Sequence, residues 1–168
     1  QQKLSAARVL LVGCGALGTV AAEQLVRAGV GELVICDRDV VELSNLQRQT
    51  LFNESDARGN VPKAFAAARR LREINSSVCI TPHVIDINTE NIEQLISASN
   101  GISLVLDGTD NAETRYLIND AAIKQRISWV YAGCVGTSGR VMGVVPGGAC
   151  LRCMFAQPPA AGEVATCD

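Results

Sequence analysis

The sequence predicts an α/β protein: a doubly wound, mainly parallel sheet with helices on both faces and an antiparallel, truncated C-terminal part. Three observations predict it. Short apolar runs alternate with helix-forming stretches along the chain. The first two runs and the stretch between them make a unit of about 30 residues, the length a right-handed parallel crossover needs. A Gly-Cys-Gly-Ala-Leu-Gly segment, residues 13–18, joins the first run to the first helix.

Arg8 to Val12 reads as a fully buried strand ending in glycine. Ala16 to Ala28 is helix-forming, and Gly29 is placed to stop that helix. Glu32 to Cys36 is a second buried strand, ending at Asp37. Val40 to Arg58, rich in Asn, Gln, Ser and Arg, reads as loop and short helix. Lys63 to Ile74 predicts a helix, Val78 to Ile85 a strand, and Thr89 to Ala98 a helix capped by Thr89. Ser103 to Asp107 is another buried strand. Asn111 to Arg126 reads as a helix with Asp110 as its cap, and Ser128 to Ala132 as a strand. Arg140 to Val145 looks like a strand before the Pro146-Gly147-Gly148 turn, and Gln157 to Gly162 is a loop.

The 168 residues, 48% hydrophobic and 19% charged, suffice for one domain with its own core, expected over residues 1–168. A net charge of −2 with no basic stripe gives no ground for nucleic-acid binding. No run of about 18 apolar residues predicts a membrane span. Residues 1–5 hold neither a signal peptide's apolar segment nor an initiator Met, so a fragment or trimmed chain is expected. The 7 cysteines are odd in number, and Cys14, Cys36, Cys79 and Cys134 sit in apolar runs. They read as buried small hydrophobes in a reducing cytoplasm rather than a disulfide framework. His83 reads as structural, and Trp129 and Tyr131 as sheet and interface packing.

Gly13, Gly15 and Gly18 form a Rossmann-like GxGxxG turn between strand and helix. The first glycine permits the tight turn, the second lets a phosphate or ribose approach the backbone, and the third lets helix and strand pack closely. Asp37, about 20 residues on, ends the second strand, where a carboxylate can accept from ribose hydroxyls. Alone, these features favour a dinucleotide dehydrogenase. The loop that follows points elsewhere, because Ser44-Asn45-Leu46-Gln47-Arg48-Gln49 groups amide and guanidinium donors suited to a triphosphate. Lys63 adds a point charge at the head of a helix. Asp110, past a strand end, suits a hard cation bridging phosphates, or a helix cap, or both. Cys150 and Cys153 form a CxxC: half of a tetrahedral zinc site, a redox pair, or two unrelated thiols.

On these residues the chain resembles the ThiF/MoeB/HesA family, relatives of the ubiquitin-activating enzymes. The resemblance runs through residues 13–18, Ser44 to Gln49, Pro62-Lys63-Ala64, Leu106 to Asn111 and Cys150 to Cys153, and covers essentially the whole chain. It implies ATP- and Mg²⁺-dependent adenylation of the C-terminal Gly-Gly carboxylate of a ubiquitin-like sulfur carrier, in a homodimer. It also implies structural Zn²⁺ in the intact protein and a sulfurtransferase or cysteine desulfurase as a further partner. Asp37 resembles the ribose ligand; Asn45, Arg48 and Lys63 the phosphate contacts; Asp110 the magnesium-associated aspartate; and Asn111 its neighbour in the nucleotide site. Cys167 matches the family's sulfur-handling cysteine, on which not every member depends.

Three departures stand out. The family's N-terminal arm, whose arginine crosses to the partner's site, has no counterpart before Gln1. The segment between Arg48 and Lys63 differs slightly in length. The sheet completion and the second zinc pair fall beyond Asp168. An NAD-dependent oxidoreductase and a non-catalytic scaffold for a ubiquitin-like protein are the rival readings. The first is opposed by the Asn45–Gln49 loop and Asp110, the second by intact Asp37, Arg48, Lys63 and Asp110.

Overall fold

In the computed structural model, which describes residues 1–97 and 101–157, six strands form one sheet in the order β3-β2-β1-β4-β5-β6. They are β1 (Arg8–Val12), β2 (Glu32–Cys36), β3 (Cys79–His83), β4 (Leu104–Asp107), β5 (Ser128–Val135) and β6 (Ser138–Val144). The first five are parallel, and β6 pairs antiparallel with β5. The doubly wound sheet with an antiparallel end is as the sequence predicts.

The apolar runs are continuous because both faces of the sheet are covered. Successive strand residues point to opposite faces. Val9, Leu11, Leu33 and Ile35 pack with α2 (Ala16–Ala28) and α4 (Lys63–Ile74). Leu10, Val12, Val34 and Val105 pack instead with α5 (Ile92–Leu95) and α6 (Ala112–Gln125), around fully buried Trp129. Shorter helices α1 (Gln2–Ser5), α3 (Glu54–Arg58) and α7 (Leu151–Met154), and one 3₁₀ turn (Leu43–Asn45), complete the described elements.

Helices α2 and α4 keep their predicted bounds, and Gly29 ends α2 by donating its N–H to the carbonyls of Leu25 and Val26. Several expectations shift. The predicted Thr89 cap fails. The loop is built on Asn88, whose carboxamide oxygen accepts from the N–H of Glu90 and Asn91, so α5 starts only at Ile92. Ala98, its predicted end, lies outside the described residues. Asp110 does not cap α6; the Asn111 side chain does, accepting from Thr114 N–H at 3.0 Å. Strand β5 runs on to Val135 because its hairpin with β6 extends the ladder past the buried part. Cys14 and Cys36 are buried as expected, but Cys79 and Cys134 are exposed. Cys79 opens an edge strand, and Cys134 lies where β5 leaves the core. His83, at the end of that edge strand, is exposed too.

Register sets the ends of three strands at one level: Val12 lies opposite Cys36 on one side and Asp107 on the other. From β1 the chain winds outward through β2 and β3, then crosses to β4 on β1's other flank. That reversal opens a crevice beyond the strand ends, where doubly wound sheets hold ligands. The turn after β1 and the loop after β4 meet there through backbone alone. A Cβ on Gly108 would lie 2.6 Å from the Gly13 carbonyl oxygen and 3.0 Å from Gly18 Cα. Gly13 itself has φ +87°, a conformation that L side chains rarely adopt.

Gly108→Ala should therefore destabilise the intact protein by about 1–3 kcal/mol in urea unfolding, through overpacking. Gly143→Ala, where an added Cβ meets nothing within 4 Å, should stay within about 0.5 kcal/mol of wild type. Equal effects at the two positions would disprove the close approach.

Candidate nucleotide-binding cleft

The crevice is a cleft of about 950 Å³. Its centre is the turn from β1 into α2. Gly15, the N-cap of α2, offers no capping side chain, and the nearest neighbour to a Cβ built on it is Gln49 Nε2 at 4.0 Å. The first N–H groups of α2 thus start the helix without a side-chain partner, beside open space. Such a terminus attracts anions through its unpaired donors and its dipole. Gly13 and Gly15 line the cleft; Gly18 lies beneath it, packed against Gly13.

Asp37 follows β2 directly. Its Oδ2 accepts from Cys14 N–H at 2.6 Å and its Oδ1 from Asp39 N–H at 2.8 Å. Burial raises its pKa above the ordinary carboxylate range, and these two N–H donors and the Lys63 charge only partly offset this. Burial also raises the Cys14 thiol's pKa and pushes that of Cys36 up to about 12, so both remain neutral packing groups.

The segment from Asn45 to Lys63 supplies the other wall. Asn45 is buried and closes the 3₁₀ turn: its Oδ1 accepts from Glu42 N–H at 3.1 Å. Arg48 reaches into the cleft, its Nη1 donating to the Ser44 carbonyl at 3.2 Å. Gln49 lines the cleft at 4% exposure, and its Oε1 has no hydrogen-bond partner among the described residues. A buried amide oxygen of this kind is costly unless something in the cleft uses it. Lys63 is held by Asp39 twice: its N–H donates to the Asp39 carbonyl at 2.9 Å, and its Nζ to the Asp39 carboxylate at 3.0 Å. Ser44, Leu46 and Gln47 are not among the lining residues. The Ser44 hydroxyl donates to Glu42, Leu46 packs on the core, and Gln47 faces solvent.

From the β4 side come Thr109, exposed Asp110 and the cap residue Asn111. Beneath them, buried Asp107 accepts from the N–H and hydroxyl of Thr109 at 2.9 and 2.7 Å, while Arg115 donates to the Thr109 carbonyl at 2.6 Å. Arg115 Nε stands 3.3 Å from Asp107 Oδ2. Burial raises the Asp107 pKa.

The residues of GxGxxG, Asp37, Asn45, Arg48, Gln49, Lys63, Asp110 and Asn111 are thus brought together. Cys150 and Cys153 are not among the cleft's lining residues; Cys150 is the N-cap of α7 and Cys153 lies within it, beside the bond from Leu151 N–H to Asn119 of α6. Cys167 lies outside the described residues. Sequence reading missed Arg38, Asp39, Asp86 and Arg115 as lining residues. Arg115 carried a usable signal, since it stands one helical turn after Asn111 on α6. Asp39 and Asp86 carried none, because their partners lie far off in sequence.

An open crevice at the switch point of a doubly wound sheet, with a glycine-rich turn and a carboxylate after the second strand, is the arrangement in which α/β folds of this class hold nucleotides. The ThiF family profile matches residues 1–168, and the chain belongs to the ThiF family. It is 52% identical over 169 positions to the sulfur carrier protein ThiS adenylyltransferase of Bacillus subtilis (strain 168), covering 100% of this chain and 49% of that protein. It is 39% identical to the Xenopus laevis adenylyltransferase and sulfurtransferase MOCS3, covering 99% of this chain and 36% of that one. A crystal structure of E. coli MccB with ATP superposes with a TM-score of 0.82 at 26% identity, over 90% of this chain and 44% of that one. The chain thus spans about half or less of the length of these relatives.

Asp37 has its pKa raised in the fold, so its contribution to stability is present below the ordinary carboxylate range and is lost as pH rises through the raised value. The stability advantage of wild type over Asp37→Ala should therefore shrink between about pH 4 and about pH 8. Urea unfolding at both values checks this. An advantage that grows with pH would mean the ionised form is the favoured one.

Proposed function

We propose that the intact protein uses this domain to adenylate the C-terminal Gly-Gly carboxylate of a ubiquitin-like sulfur-carrier protein, consuming ATP and releasing pyrophosphate. The single observation carrying this is the convergence on one cleft of an uncapped helix N-terminus, the ribose-suited Asp37 and the cations Arg48 and Lys63. A nucleoside triphosphate would use all three: the carboxylate for its ribose, the helix terminus and the cations for its phosphates. The sulfur-carrier and adenylyltransferase names of the relatives supply the substrate class.

In this reading Asp37 accepts from the ribose hydroxyls, and the α2 N-terminus, Arg48, Lys63 and the carboxamide N–H groups of Gln49 hold the phosphates. The carrier's carboxylate oxygen bonds to the α-phosphorus as the bond to the pyrophosphate oxygen breaks. The nucleophile is already ionised, so the chain needs no general base; its residues position the reactants and stabilise charge on the leaving phosphates. The donor set fits magnesium. Asp110 is an exposed carboxylate on the cleft wall, and no described group of three or more His, Cys, Asp or Glu could hold a metal by itself. Asp110 would hold the ion through a carboxylate oxygen, the hard ligand that magnesium takes. Such an ion, when bound, neutralises phosphate charge.

Zinc also fits, as half a site. Cys150 Sγ and Cys153 Sγ are 3.7 Å apart, close to the ~3.8 Å that two Zn–S bonds of 2.3 Å span at a tetrahedral angle. Partial burial pushes the Cys150 thiol up, but the backbone N–H groups of Cys153 and Arg152, together with the side chains of Cys153 and Asn119, set its pKa below the ordinary value. The remaining ligands would come from outside the described residues. A homodimer, and a sulfurtransferase or cysteine desulfurase delivering sulfur, complete the proposed assembly, with Cys167 as a candidate acceptor of that sulfur.

Asp110→Ala in the full-length protein should lower carrier-dependent ATP–pyrophosphate exchange at least ~100-fold. Its unfolding free energy should stay within about 0.5 kcal/mol of wild type, because Asn111 and not Asp110 caps α6. Wild-type exchange in that variant would remove Asp110 from the reaction, and no exchange in wild type would refute the adenylation reading. Elemental analysis of the full-length protein should find about one zinc per chain. The Cys150→Ser, Cys153→Ser double variant should lack it; zinc retained by that variant would place the ion elsewhere.

A further inference from the structure

Asp37 divides the cleft. The donors from Asn45 to Lys63 belong to a segment packed on the α2–α4 face of the sheet, through Val41, Leu51 and Ala64. Val12, Cys36 and Ile87, which also line the cleft, belong to the core of the opposite face. A nucleotide with its ribose on Asp37 and its phosphates toward the first wall therefore directs its base into the second. That end has an apolar floor, with Val12 2%, Cys36 1% and Ile87 8% exposed, and half-buried Ile85 beside them.

Two charged side chains line the same end. Arg38, just after Asp37, places its Nη1 2.9 Å from Asp86 Oδ2, so an ion pair joins the loop after β2 to the loop after β3. Asp86 is itself anchored, since its carbonyl accepts from the Asn91 side chain at 2.7 Å. Asp39 approaches Arg38 Nε at 3.7 Å, and the charge of Asp110 also acts on the guanidinium. An exposed ion pair contributes little to folding. A guanidinium held from several sides beside an apolar slot is, however, a preorganised flat surface, and arginine lays a plane on an aromatic face that lysine's ammonium cannot supply.

We propose that Arg38, held by Asp86, stacks on the base of the bound nucleoside triphosphate and sets its preference for a purine over the smaller pyrimidine. This rests on the adenylation reading above. Arg38 contacts the base, and Asp86 acts through Arg38 as a positioning residue.

The test uses the full-length protein, with exchange measured for ATP and for CTP, and binding of ATP and inorganic tripolyphosphate measured by calorimetry. Arg38→Ala should raise the KM for ATP roughly fivefold or more, the loss falling on KM rather than kcat, and narrow the ATP:CTP preference by a similar factor. Arg38→Lys keeps the charge without the plane and should not restore either. Asp86→Ala should show part of the same loss. Tripolyphosphate, which has no base, should bind Arg38→Ala as it binds wild type. An unchanged KM and affinity for ATP in Arg38→Ala, full rescue by lysine, or an equal loss of tripolyphosphate affinity would each overturn the assignment. Wild type without exchange, but with ATP binding weakened by Arg38→Ala, would sink the adenylation reading and keep the stacking one.

Discussion

The contact on which the site depends has no side chains in it. Gly13, Gly18 and Gly108 bring the turn after β1, the first turn of α2 and the loop after β4 into backbone contact. Only that approach lets one crevice be bounded both by the N-terminus of α2 and by the loop carrying Asp110. A single methyl group at the junction would separate them, and the packed core on both faces leaves little room to absorb the shift. The parallel register extends the arrangement sideways, because Cys36 and Asp107 flank Val12 and so carry Asp37 and Gly108 to the same height.

Around that junction, the cleft's main cations are held before any ligand arrives. Asp39 holds Lys63, Asp86 holds Arg38, Asp107 stands against Arg115, and the Ser44 carbonyl holds Arg48. A side chain already confined loses less rotamer freedom when it meets an anion or a base. Asp37 is the counterpart on the acidic side. It is buried at a cost, partly offset by two backbone N–H donors, and aimed by them at one place in the cleft.

Much of the fold was legible because its signals are local. Apolar runs and helix formers act over a few residues each, so α2 and α4 are read to their ends and the strands to within a few residues. Two of the errors fall where one polar side chain had to be chosen over its neighbour. Asn111 rather than Asp110 caps α6, and Asn88 rather than Thr89 organises the turn before α5. Either residue of each pair has the chemistry to cap; which one does depends on the backbone's entry angle, and that is set by packing.

The sequence by itself determined the doubly wound architecture, the glycine turn, Asp37 and the donors from Asn45 to Lys63, because each is encoded by residue type and spacing within one segment. Tertiary structure alone decided which distant groups meet: Arg38 with Asp86, Asp39 with Lys63, and Gly13 with Gly108. It also decided that Gln49 is buried with its carboxamide oxygen unpartnered while Gln47, two residues earlier, faces solvent. Those outcomes follow from the order and register of strands far apart in the chain, and no stretch of a dozen residues contains that information.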